Sequence, residues 1–124
     1  MVARLLALVL IAASVPAVAS ARDMAGLYDI NQMEMAGGLE LSPNGHFRYA
    51  FDYGAVSEQS EGSWSLDGGT VRLTTDPMPQ ASECDRGYAS ACFRGTPLTI
   101  EGENLILLRW DARIVLKPVQ PRPR

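Results

Sequence analysis

Histidine and lysine each occur once, cysteine twice, and no uninterrupted apolar run exceeds nine residues. Each scarcity closes a route. A histidine-based acid–base or metal site needs a second positioned group, and His46 stands alone after a turn, pointing outward beside Arg48. The cysteines are spaced C-x7-C with no histidine nearby, which is not a zinc-ligand spacing. Serine, threonine and glycine occur without a nucleophile elbow or a phosphate-binding loop. The spacing of Glu34, Glu40, Glu58, Glu61, Asp67 and Asp76 brings no two of them together as acid and base, so they read as solvated surface. The sequence therefore assigns no catalytic residue, no metal ligand and no cofactor.

What is there begins with an export signal. Arg4 precedes the apolar run 5–13, Pro16 ends it, and two small-x-small sites follow, for cleavage after Ala19 or Ala21. This is the layout of a signal peptide. Nine apolar residues are too few to cross a hydrocarbon core of about 30 Å as a helix, so no transmembrane span is expected in the mature chain. No cysteine near the cleavage point offers a lipid anchor, and no arginine pair precedes the apolar run. The expected organisation is a signal peptide over 1–21, one domain over 22–117 and a Pro/Arg-rich tail over 118–124, in a bacterial protein that is periplasmic or secreted. Loss of Arg4 leaves 10 basic against 14 acidic side chains, a net charge of −4. The charges are dispersed, whereas a nucleic-acid surface concentrates basic ones, so no nucleic-acid partner is expected. An oxidising compartment favours closure of Cys84 with Cys92, and a ring that short contributes roughly 2–3 kcal/mol.

After residue 24 the apolar residues alternate with a period of two between strong turn signals, the pattern of half-buried strands. Residues 25–31 form the first such run, and residues 33–36 read either as a helical turn or as a strand lead-in. Residues 38–42 place Leu39 and Leu41 on one face before the turn Pro43-Asn44-Gly45. The clearest run follows, with Phe47, Tyr49, Phe51 and Tyr53 on one face and His46, Arg48, Ala50 and Asp52 on the other. Further strands are expected over 60–66, 70–75 and 96–101, and a hairpin over 104–110 and 113–117 around Asp111-Ala112. Residues 76–95 show no period. Leu105-Ile106-Leu107-Leu108 is apolar on both faces, which calls for an outer cover: the 76–95 loop, the tail, or a second copy in a homodimer.

About eight short strands joined by tight turns imply an antiparallel up-and-down meander. Closing it into a small barrel hides its apolar face and removes its open edges. The expected fold is all-β, eight-stranded, and closed or nearly so. At eight strands the interior has room for side chains or for one small ligand.

Gly26-Leu27-Tyr28, Gly62-Ser63-Trp64 and Asn44-Gly45-His46-Phe47 carry a resemblance to the small calycin-type barrels, the lipocalin-like and avidin-like group. The first two resemble the family's G-x-W, and the third its D-G-x-F hairpin. The resemblance implies a barrel that binds a small molecule, and an Arg of the last strand packed across the first-strand aromatic, with Arg113 as first choice and Arg109 as second. Tyr28, Tyr49, Tyr53, Trp64 and Arg109 are then the candidate inner wall, and Tyr88, in the stapled loop with Asp85 and Arg86, stands at the mouth. The aromatic face reads either as core or as pocket wall. The expected function is a non-enzymatic binding module for an apolar or aromatic small molecule or an envelope component. The alternative is a fully packed interaction domain that uses the apolar strand near Leu105 to Trp110.

Overall fold

The computed structural model describes residues 21–84, 86 and 88–119, without the side chains of 21, 22, 88 and 89. The stretch read as an export signal, apart from its last residue, and residues 120–124 lie outside the described residues. Among the described residues nine strands form one sheet: β1 (Gly26–Gln32), β2 (Met35–Leu41), β3 (His46–Tyr53), β4 (Val56–Asp67), β5 (Thr70–Thr75), β6 (Tyr88–Ser90), β7 (Arg94–Glu101), β8 (Asn104–Arg109) and β9 (Ala112–Pro118). Eight of them close an antiparallel up-and-down barrel in the order β1-β2-β3-β4-β5-β7-β8-β9, with β9 returning to β1 through Ile30↔Leu116 and Tyr28↔Pro118. The expected fold class is thus the observed one. Among the described residues the helical pieces are one turn, Ala21–Met24, and a 3₁₀ turn, Ala81–Glu83.

Alternation does the sorting. Phe47, Tyr49 and Phe51 of β3 point inward and are buried, and they meet Leu39 and Leu41 of β2, Val71 and Leu73 of β5, and Leu105, Leu107, Ile114 and Leu116 of β8 and β9. Tyr53 extends that face past the end of the barrel, so it sits on the rim, 38% exposed, instead of in the wall.

Several boundaries differ from the sequence reading. β4 begins at Val56, four residues before the expected Ser60, because Tyr53 pairs with Val56 directly across Gly54-Ala55. The polar run Ser57, Glu58, Gln59 disguises this half of the strand. The last hairpin turns at Trp110-Asp111, not Asp111-Ala112. Both residues have positive φ, 48° and 61°, as a two-residue type I′ turn demands at its central positions. β9 runs through Pro118, and the backbone N–H of Val119 donates to Leu27 O at 2.8 Å. The sheet therefore absorbs the first two residues expected in the tail. Proline fits at 118 because Tyr28↔Pro118 is a non-hydrogen-bonded pair, so its nitrogen faces away from β1, on the side where β8 no longer pairs. On the doubly apolar strand, Ile106 is buried between its pairing partners Thr99 and Val115, whereas Leu108 is 73% exposed. The single chain thus covers one of the two.

The aperiodic segment 76–95 contains an arm that returns beside the barrel. β6 pairs in parallel with the first half of β4, at Ser57, Glu58 and Gln59, where β5 does not reach. The arm is tied by Asp76 N–H to Glu61 O at 3.0 Å, by Ala91 N–H to Gln59 O at 3.0 Å, and by the Cys84–Cys92 disulfide. The crossing is tight at Gly62, where an added Cβ would lie 2.0 Å from Thr74 O and 2.7 Å from Asp76 N. Gly62→Ala is expected to cost about 1–3 kcal/mol by overpacking. A melting temperature within a degree of the parent would contradict that geometry.

Candidate functional site

The barrel does not hold its predicted inner wall as one site; it divides the residues between its ends. At the end where the chain enters, the Tyr28 hydroxyl donates to Met24 O at 2.6 Å, and Trp64 Nε1–H donates to Ser42 O at 2.8 Å. Both rings are buried, and these bonds dock the helical turn and the β2–β3 turn onto the barrel. Burial pushes the Tyr28 phenol above its usual pKa.

At the other end, Tyr49 and Arg109 meet a residue that sequence reasoning placed on the surface. Glu58 is buried. Its Oε1 accepts the Tyr49 hydroxyl at 2.8 Å and Arg109 Nε–H at 2.7 Å, and its Oε2 accepts from the second arm of the same guanidinium at 2.5 Å. The signal was present: carrying the inward frame of Leu66, Trp64 and Gly62 back by twos reaches Ser60, Glu58 and Val56. The guanidinium lies 4.3 Å from the Trp110 ring centroid and 5.6 Å from that of Phe93, within cation–π range. Trp110 also lies against Phe51, at 5.9 Å between centroids. The fork-to-carboxylate geometry is the strong, directional form of ion pair. It occupies both oxygens of Glu58, which makes this group a clamp.

Phe93, which lies in the arm, is fully buried inside the barrel. It contacts Tyr49 edge-on at 5.0 Å and Phe47 at 6.0 Å. Thr75 seats it. Its Oγ1 accepts Phe93 N–H at 2.8 Å and donates to Ala91 O at 3.0 Å, which leaves Ser60 as the donor in the 2.7 Å contact between the two hydroxyls. Among the described residues no buried side-chain polar atom lacks a partner. The space that an eight-stranded barrel offers a ligand is here taken by Phe47, Phe51, Phe93 and the aliphatic core.

The other candidates separate. Arg113 lies on the outer face, paired with Glu101 at 2.7 Å. Arg109 stands at the opposite end of the barrel from Tyr28, so neither packs across the first-strand aromatic as the resemblance implies. His46 lies at the entry end, half-buried, and its backbone N–H donates to Asn44 Oδ1 at 3.0 Å. Asp67 pairs with Arg72 on the surface. Asp85 and the Tyr88 side chain lie outside the described residues. No group of three histidine, cysteine or acidic side chains among the described residues is placed to hold a metal.

A recess of about 920 Å³ lies outside the barrel wall. Its floor is two cross-strand rows of outward-facing residues, Asp29–Gly38–Ala50–Gln59 and Leu27–Glu40–Arg48–Glu61. Gly38 and Ala50 make the floor low. The arm, through Pro77, Met78, Pro79 and Glu83, forms the facing wall, and Val119 closes one end. A second recess of about 790 Å³ continues it towards Asp52, Ser57 and Arg86. Periodicity could not show this groove, because it is made by an aperiodic arm folding back over a regular wall.

No protein-family model, curated protein or solved structure matches the chain. Among the described residues no helix is long and apolar enough to cross a membrane.

Two outcomes follow from the two ends. Glu58→Gln leaves the Arg109 guanidinium without its carboxylate and is expected to cost about 3–5 kcal/mol, whereas Glu58→Leu combined with Arg109→Met recovers most of that loss. Urea unfolding measures both, and a neutral single variant would remove the clamp from the account. The raised pKa of Tyr28 means that the fold favours the neutral phenol. That contribution is complete below the ordinary value of about 10 and is lost as the pH rises through the folded one. Tyr28→Phe is therefore expected to flatten the alkaline fall in stability, and an unchanged slope would contradict it.

Proposed function

We propose that this protein is an exported, non-enzymatic binding module, lipocalin-like in plan, that takes an apolar or aromatic small molecule or the apolar part of an envelope component. Its site in this reading is the outer groove between β1–β4 and the arm, not the barrel interior. The observation that carries the proposal is the pairing of a filled barrel with a 920 Å³ recess against its wall. Small-molecule sites are concave, mostly apolar, and about 300–1,000 Å³ in size. Leu27, Ala50, Pro77, Met78, Pro79 and Val119 supply apolar lining, and Arg48 with its carboxylate neighbours supplies polar handles. The Cys84–Cys92 bridge fits an oxidising compartment, periplasmic or extracellular, and it braces the arm that forms one wall. The competing reading, contact through the strand near Leu105, retains Leu108 as its exposed apolar residue on the strand and Trp110 at the adjoining turn.

The neutral aromatic probe 1-N-phenylnaphthylamine tests this. Saturable fluorescence enhancement at one probe per chain is expected, weakened at least tenfold by Ala50→Arg, which fills the floor, and unaffected by Leu108→Asp. Absence of binding, or binding indifferent to Ala50→Arg, would overturn the proposal.

A further inference from the structure

We infer that the groove selects cations: its ligand is an amphiphile whose apolar or aromatic body carries one positive charge, such as a protonated amine. The inference rests on the groove being the binding site.

The groove is lined by four carboxylates, Asp29, Glu40, Glu61 and Glu83, and by one guanidinium, Arg48, a local balance of three negative charges. Asp29, Glu61 and Glu83 take part in no ion pair among the described residues, and Glu40 accepts a hydrogen bond from Ser42 Oγ. Arg48 does not offset them for an incoming anion. It stands between Glu40 and Glu61 in one cross-strand row, so an anion that reaches it meets a carboxylate on either side. The acids are also too dispersed to hold a metal among the described residues. They act as a field, because a cleft lined by charge of one sign and walled by apolar groups focuses that field on whatever enters.

The apolar lining shares this recess. Leu27 heads the row that contains Glu40, Arg48 and Glu61, and Val119 lies at the same end. Glu61 stands at the root of the arm, where its carbonyl accepts Asp76 N–H at 3.0 Å, so a carboxylate adjoins the wall of Pro77, Met78 and Pro79. Three classes of ligand separate on this surface. A neutral body laid over the floor takes water from the carboxylates and returns no charge. An anion adds repulsion to that loss. A cation compensates for it, its ammonium donating a charge-assisted hydrogen bond to a carboxylate while its body covers Ala50 and Met78.

Three ligands of similar shape and different charge test this: 1-naphthylmethylammonium, 1-naphthylmethanol and 1-naphthylacetate. Each competes with 1-N-phenylnaphthylamine at about pH 7, where the amine is protonated and the side-chain carboxyls are ionised. Exposed charge pairs contribute little singly, but several act together here. At low salt the ammonium is expected to displace the probe at a concentration about tenfold below that of the alcohol, and the acetate at one about tenfold above it. Raising the ionic strength from about 0.01 M to 1 M shortens the screening length from about 30 Å to 3 Å and should bring all three within about twofold. Asp29→Asn/Glu61→Gln is expected to lower the ratio of ammonium to alcohol affinity about threefold, and Arg48→Gln to raise it. The ratio is the readout because a change in fit common to both ligands cancels in it. Equal displacement by all three, a ratio indifferent to both variants, or preference for the acetate overturns the charge selection and leaves the small-molecule reading standing. An ammonium preference unchanged by Ala50→Arg also overturns it, because the cation then binds elsewhere on the acidic surface. Failure of 1-N-phenylnaphthylamine to bind overturns both.

Discussion

Everything in this molecule depends on a narrow barrel being filled. Eight strands enclose little more than their own side chains, and here Phe47, Tyr49, Phe51 and a full set of leucines, isoleucines and valines leave one gap, which Phe93 enters from the arm. The residue that completes the core belongs to the same segment that builds the outer groove. The barrel core and the groove thus share one segment: Phe93 is seated on Thr75, and the same arm runs back along β4.

The clamp at that end serves the same purpose. A buried carboxylate is costly unless it is paired and hydrogen-bonded, and Glu58 is both. Its position at the start of β4 lets Arg109 bridge from β8 across the open end of the barrel, while Trp110, held at positive φ by the tight turn, closes over the guanidinium. A bulky side chain at positive φ is disfavoured, and the contacts with Arg109 and Phe51 offset that cost. The polar cluster therefore acts as a lid for a core that would otherwise open to water.

The sequence was legible wherever alternation was clean. Phe47 to Phe51, Leu39 with Leu41, and Val71 with Leu73 declare their faces, and the turns at Asn44-Gly45 and Gly68-Gly69 declare their ends. From these the closed eight-stranded barrel follows. The disulfide was legible from the expectation of an oxidising compartment, whereas Arg109 entered the inner wall through the family resemblance. Reading failed where polar residues face inward or irregular chain packs on regular chain. Glu58 sits in the inward frame but looks like surface, so β4 was cut short and the clamp went unseen. Phe93 belongs to no periodic run, yet it fills the core. Tyr28, Tyr49 and Trp64 were rightly placed inward, but their polar atoms are all spent on Met24, Glu58 and Ser42, and only coordinates reveal a hydrogen-bond partner distant in sequence.

The most direct test of the account is a crystal structure of the chain soaked with 1-N-phenylnaphthylamine. It predicts ring density lying on Ala50 and Gly38 beneath Met78, with Phe93 in place. Density inside the barrel, between Phe47 and Leu105 with Phe93 displaced, would contradict it.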